Sequence, residues 1–191
     1  MSARLVLLGP PGAGKGTQAA RLSERLAVPA ISTGDIFRAN VAGRTELGRR
    51  AQRYMDAGEY VPDEVTNDMV RARLAEPDAA EGFLLDGYPR TQDQVRELEA
   101  MLSANGHSLD AVIELTADTD AVVERLLKRA AEQGRADDTD VVIRRRLEVY
   151  REQTEPLAGA YDELGLLVRV DGMGEMDAVT ERLLTALERL G

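Results

Sequence analysis

The 191-residue chain contains no cysteine, which excludes disulfides, thiolate zinc sites and a cysteine nucleophile together. Histidine is almost as scarce. The single one, His107, sits in an Asn105-Gly106-His107-Ser108 turn and reads as a solvated loop residue. No apolar run approaches the ~18 residues of a membrane span. The N-terminus runs straight into a strand-like stretch with no basic head and apolar signal core, so a cytoplasmic protein is expected. Lysine is rare as well: of 24 Lys plus Arg residues only Lys15 and Lys128 are lysine. The net charge of −10 speaks against a bulk nucleic-acid or anionic-membrane surface, so neither partner is expected. Otherwise the composition, 43% apolar and 30% charged, is that of a soluble globular protein, and the length suits one domain with small excursions. A monomer is the default expectation.

The most informative stretch runs from Leu5 to Thr17. An apolar run, Leu5-Val6-Leu7-Leu8, leads into Gly9-Pro10-Pro11-Gly12-Ala13-Gly14-Lys15-Gly16-Thr17, and a helical pattern follows from Gln18 to Ala27. Strand, glycine-rich loop and helix in that order form a P-loop. Its glycines let the backbone approach an anion, and its N–H groups with the helix N-terminus cradle a polyphosphate. Lys15 places a compact point charge on the outer phosphates, a role a wide planar guanidinium would fill badly. A nucleoside triphosphate site follows. One feature is unusual: Gly16 follows the lysine, so the hydroxyl comes one place late, at Thr17.

Short β-like runs alternate with helical segments, the signature of an α/β parallel sheet covered by helices. The strand candidates are Arg4–Leu8, Pro29–Ile31, Gly82–Asp86, Ala111–Leu115 and Leu166–Val170. All but Pro29–Ile31 are nearly continuous apolar runs, as expected of strands buried on both faces. Between the second and third lie Asp35–Ala42, Glu46–Ala57 and Asp63–Leu74, all helical in pattern. That is too much chain for a simple crossover, so a helical lobe projecting from the sheet is expected. Helices are also expected over Gln92–Ser103 and Thr119–Ala131. A long one should begin near Asp138 and kink at Pro156, and a terminal one should carry Met176, Val179, Leu183 and Leu187.

Three further constellations carry chemistry. Ser32-Thr33-Gly34-Asp35-Ile36-Phe37-Arg38 follows the second strand, on the rim where parallel sheets bind ligands. Ser32 or Thr33 can cap the next helix, and Arg38 points to an anion site. Phe83-Leu84-Leu85-Asp86-Gly87-Tyr88-Pro89-Arg90 ends a strand in a carboxylate, the Walker-B-like position for holding Mg²⁺ directly or through water, and Pro89 stiffens the turn presenting Arg90. From Arg125 to Arg151 there are eight basic and five acidic residues. Arg125 and Arg129 share a helix face. Arg144, Arg145 and Arg146 lie about 100° apart in turn, so they cannot all face one ligand; one or two should be surface charges paired with acids.

Over nearly the whole chain these motifs resemble the nucleoside monophosphate kinases, and within them the adenylate kinases. The loop is similar to that family's variant, including the glycine before the threonine, and the Phe83–Arg90 stretch is similar to its monophosphate-site signature. Thr33 resembles adenylate kinases, where relatives acting on UMP or CMP usually carry alanine. The resemblance implies a five-stranded parallel sheet, a core of residues 1–32, 62–128 and 139–191, a monophosphate-binding lobe over 33–61 and a short lid over 129–138. It implies that ATP meets Gly12, Ala13, Gly14, Lys15, Gly16, Thr17, Arg129 and Gly174. AMP would meet Thr33, Arg38, the Met55 and Glu59-Tyr60-Val61 wall, the Gly87-Tyr88-Pro89-Arg90 turn, Arg135, Arg146 and Gln94, which falls where adenine is read. Arg125, Arg129, Arg135 and Arg146, with Lys15, Arg90 and Asp86, would surround the transferred phosphoryl group. Magnesium would arrive on ATP with no direct protein ligand, Asp86 acting through water. Many bacterial members have a long lid, often holding zinc; the short Arg129–Asp138 segment and the lack of cysteine imply a metal-free lid.

The implied reaction is MgATP + AMP ⇌ 2 ADP, which would maintain adenine nucleotide balance. A UMP or CMP kinase would share most motifs, but Thr33 and Gln94 speak against it. A GTPase switch would need a guanine-reading Asn-Lys-x-Asp stretch, which is missing. A binding protein without activity would be expected to have lost Lys15, Asp86 or Arg90, and all three stand.

Overall fold

A computed structural model of the chain describes residues 3–134 and 139–189. Five strands, β1 (Arg4–Leu8), β2 (Ala30–Ser32), β3 (Phe83–Asp86), β4 (Ala111–Thr116) and β5 (Leu167–Asp171), form one parallel sheet in the order β2-β3-β1-β4-β5. The helices are α1 (Lys15–Leu26), α2 (Thr33–Ala42), α3 (Glu46–Asp56), α4 (Asp63–Leu74), α5 (Gln92–Ser103), α6 (Thr119–Gln133), α7 (Asp140–Val149), α8 (Glu155–Glu163) and α9 (Met176–Glu188). This is the α/β architecture expected from the sequence, with a five-stranded parallel sheet.

Strand alternation builds the two faces. Leu5 and Leu7 of β1 join Ile113 and Leu115 beneath α1 and α9, meeting Leu22, Val179 and Leu183. Val6 and Leu8 point the other way, into a core with Leu85, Val112, Leu98 and Tyr161. The chain first winds from β1 toward β2 and β3, then crosses to β4 and β5 on the other side. The order therefore reverses at β1, and such a switch point opens a crevice at the carboxyl ends of the strands. Register brings the strand ends level there: Asp86 pairs with both Leu7 and Ser32, and Leu8 with Glu114.

Helices α2 and α3 cross so closely that a Cβ on Gly48 would lie 2.1 Å from the Asn40 carbonyl oxygen. Phe37, Ala51 and Val61 form a small separate core there, with Leu47, Tyr54, Met55 and two side chains of α4 packed on it.

Several local expectations need correction. The Asp35–Ala42 helix starts earlier, at Thr33, because Ser32 is its N-cap, accepting from the Asp35 N–H at 3.2 Å. Thr33 is then free to donate across the sheet to the Gly87 carbonyl at 2.9 Å. The run from Asp138 is not one helix kinked at Pro156. It breaks earlier, in a π-helical turn over Tyr150–Thr154, and Pro156 sits in the first turn of α8, where its missing N–H costs nothing. Strand β5 is not buried on both faces: it is an edge strand, with Arg169 exposed and paired to Glu114 and Asp162.

Candidate active site

The loop after β1 is shaped by glycines. Gly12, at φ +84°, packs where a Cβ would come within 2.9 Å of Leu126 and of the Val122 carbonyl oxygen. Gly14, at φ +94°, is the left-handed N-cap of α1, and open space lies where its Cβ would be. No side chain caps α1, so its first-turn N–H groups remain available to an anion. Lys15 folds back over the loop, its Nζ donating to the carbonyls of Gly9 (2.8 Å) and Pro10 (3.1 Å). Burial first, then the charges of Arg90, Arg146 and Arg129, lower its pKa from 10.5 to about 8, while Asp86 pulls it upward. Three arginines and one carboxylate thus act on this one ammonium.

Asp86 is nearly buried at the end of β3, and a Cβ on Gly16 would stand 3.9 Å from its Oδ2. Beside the loop opens a cleft. Lys15, Thr33, Arg38, Arg90, Gln94 and Arg146 line it. Met55, Glu59, Tyr60 and Val61 form its far wall, and Gly87 and Pro89 its floor. Arg38 pairs with Asp35 at 2.6 Å. Glu59 pairs with Arg145 at 2.6 Å, which ties the wall to α7. Gln94 is buried, its Oε1 accepting from the Arg90 N–H (2.7 Å) and its Nε2 donating to Asp63 (2.8 Å).

Arg90 is tethered on several sides. Its Nε donates to the Gly87 carbonyl at 2.7 Å, and its guanidinium lies over the Tyr60 ring, 5.1 Å from the centroid. Its two terminal nitrogens hydrogen-bond no described residue.

Not every expected residue enters the cleft. Tyr88 turns away: its fully buried ring lies in the core and its hydroxyl donates to Asn67 at 2.8 Å. Arg125 reaches the Gly172 carbonyl at 3.4 Å from each terminal nitrogen, linking α6 to the loop after β5. That loop abuts the glycine-rich one, since a Cβ on Gly172 would stand 3.2 Å from the Ala13 carbonyl oxygen. Gly174 is exposed at φ +97°, and Arg182 braces the loop through the carbonyls of Asp171 and Met173. Gly16 and Thr17 are exposed in the first turn of α1. Of the arginine triplet, Arg144 pairs with Asp140, Arg145 with Glu59 and Glu148, and Arg146 faces the cleft. Arg135 lies outside the described residues, as does the rest of the expected lid from 136 to 138.

Two contributors were not legible in the sequence. Asp63 braces Gln94 and Thr91 but reads there only as a helix-start acid. Thr154 lines the cleft from the π-helical turn, and its only sequence mark is its place just before Glu155-Pro156. Among the described residues no group of three or more His, Asp and Glu is arranged to hold a metal ion, and no helix is long and apolar enough to cross a membrane.

An array of this kind can hold a triphosphate on the loop and a second anion against Arg38, Arg90 and Arg146. Similarity to known proteins points the same way. The family model described as Adenylate kinase matches residues 7–166. An adenylate kinase of Kocuria rhizophila is 66% identical over 186 residues, covering 97% of this chain and 99% of the relative. One from a Nocardioides species is 62% identical, covering 97% of each chain, and one from Nocardia farcinica is 62% identical, covering 97% of this chain and 99% of the relative. By sheet order, loop geometry and sequence similarity over nearly its whole length, the chain belongs to the adenylate kinase family.

Proposed function

We propose that the cleft carries out MgATP + AMP ⇌ 2 ADP with the following division of labour. As a member of its family the chain is an ATP:AMP phosphotransferase. The observation that carries the residue assignments is the convergence of Lys15, Arg38, Arg90 and Arg146 on one cleft beside the glycine-rich loop. Cations gathered this closely are completed by anions, and the glycine-rich loop supplies the backbone donors for a polyphosphate.

ATP would lie along Gly12, Ala13, Gly14, Lys15, Gly16 and Thr17, with its base toward the Gly172–Gly174 loop that Arg125 and Arg182 hold. AMP would fill the cleft, its phosphate against Arg38 and Arg90 and its base toward Gln94 and the Met55–Val61 wall. Gln94 retains one amide N–H and one lone pair for the base after meeting Arg90 and Asp63. The attacking phosphate oxygen is already anionic, so no general base is required. Lys15, Arg90, Arg129 and Arg146, with Arg135 from the lid, would neutralise charge on the moving phosphoryl group in a site that excludes water. Asp86 fits a hydrated divalent cation carried on the triphosphate: it is a nearly buried carboxylate beside the first turn of α1. Magnesium there would supply further charge neutralisation between the phosphates.

The reading includes a monophosphate-binding lobe over 33–61 and a short metal-free lid over 129–138, closing on the substrates, and a cytoplasmic monomer. Lid closure over bound substrates is a common form of gating, adenylate kinases included, and here it would keep water from the γ-phosphate. A coupled assay offering ATP with AMP, UMP, CMP and GMP in turn tests the specificity. Turnover should be fastest with AMP, and comparable or faster turnover with UMP or CMP would overturn the assignment.

A further inference from the structure

We propose that Thr154 is a positioning residue that, through Tyr60, holds Arg90 in the orientation that meets the acceptor phosphate. The Thr154 side chain is buried and joins three parts of the cleft. Its hydroxyl lies 2.7 Å from the Arg90 carbonyl oxygen and 2.6 Å from the Tyr60 hydroxyl. A carbonyl can only accept, so the Thr154 O–H donates to Arg90. The single hydroxyl proton is then spent, which leaves the Tyr60 O–H to donate to Thr154 Oγ1. The direction of the whole chain is fixed: Tyr60 to Thr154 to the Arg90 main chain.

The same tyrosine presents its ring face to the Arg90 guanidinium at 5.1 Å. A loop of contacts therefore closes on one residue. Thr154 holds the Arg90 backbone and also sets the Tyr60 ring against which the Arg90 guanidinium rests. With Gly87 accepting from Nε and Gln94 accepting from the main-chain N–H, the remaining freedom of Arg90 is small, and its terminal nitrogens are aimed into the cleft. Thr154 belongs to the π-helical turn between α7 and α8, whereas Tyr60 follows α3. The seating of Tyr60 on Thr154 thus ties the far wall of the cleft to the position of a phosphate-binding arginine. An arginine pre-oriented in this way loses less freedom on binding and meets the phosphate at the right angle.

The inference rests on the reading of Arg90 as a phosphate-binding group. Its test is steady-state kinetics on Thr154→Val, Tyr60→Phe, Thr154→Ser and Arg90→Ala, with Thr154→Val repeated in the Arg90→Ala background. Thr154→Val and Tyr60→Phe should each lower kcat/KM for AMP about threefold to tenfold, the scale of one lost hydrogen bond, while KM for ATP is unchanged. Thr154→Ser should restore activity, and Thr154→Val should add nothing once Arg90 is gone. Wild-type kinetics in both Thr154→Val and Tyr60→Phe would overturn the proposal. So would an equal loss from Thr154→Val without Arg90, or a matching rise in KM for ATP, since both would mark general loosening of the fold. Wild-type activity in Arg90→Ala would instead overturn the underlying reading of the phosphate site, and the proposal with it.

Discussion

Replacing Lys15 by methionine should abolish turnover and yet favour the folded state of the empty protein at neutral pH. In the fold the half-buried Lys15 ammonium loses much of its hydration and faces Arg90, Arg146 and Arg129, which lowers its pKa from 10.5 to about 8. The unfolded chain therefore binds more protons than the folded chain between about pH 8 and 10.5, and stability must rise with pH across that window. At pH 7 the lysine contributes a penalty of about 3 kcal/mol, from 1.36 kcal/mol per pKa unit. Against this, its two hydrogen bonds to the Gly9 and Pro10 carbonyls contribute about 1 kcal/mol each. Lys15→Met should thus be more stable at pH 7 by about 1 kcal/mol. That advantage should fall by about 2 to 3 kcal/mol by pH 10, where the lysine is neutral in the fold. The other titrating groups are common to both proteins and cancel. Urea unfolding of the two, without nucleotide, at pH 7, 8.5 and 10 measures the difference. A stability difference that stays constant from pH 7 to 10, or moves the opposite way, refutes the reasoning. The same titration should appear in wild-type kinetics as a decline in kcat/KM for ATP above about pH 8.

Arg146→Ala should lower kcat by roughly 10²- to 10³-fold, the loss expected for one charge-stabilising donor, whereas Arg144→Ala should leave turnover unchanged because its guanidinium is exposed on Asp140. Equal effects in the same assay would mean that the orientation of α7 is misread. Gly48→Ala improves intrinsic helix propensity by about 1 kcal/mol, but its Cβ would collide with the Asn40 backbone. The net effect should be a loss of about 3 kcal/mol, or roughly 6 to 12 °C in Tm by calorimetry; an unchanged or higher Tm would contradict the close α2–α3 crossing. Added zinc or chelator should leave the melting temperature of the nucleotide-free protein unchanged, and a shift would show a metal bound in the lid.

Most of the sheet and the P-loop were legible because they depend on neighbours in sequence. The apolar runs of β1, β3 and β4, the glycines at 12 and 14, and the helical spacing of α5 and α9 are local patterns with local physical causes. Even the capping at Ser32 was open to reading, with Thr33 as its rival. The exposure of β5 was marked only by Arg169, a single charge in the otherwise apolar Leu166 to Val170. Its place at the edge depends on where the rest of the chain winds.

By itself the sequence determined the fold class, the phosphate loop and the residue types available for catalysis: cations, one well-placed carboxylate, a single histidine and no cysteine. Only the tertiary structure decided which of those side chains meet. It turned Tyr88 into the core, selected Arg146 from three adjacent arginines, and brought Thr154 across 64 positions to the carbonyl of Arg90. The physical reason is that a side chain's direction depends on the rotational phase of its helix or strand and on what packs opposite. Both are set by contacts between residues far apart in the chain.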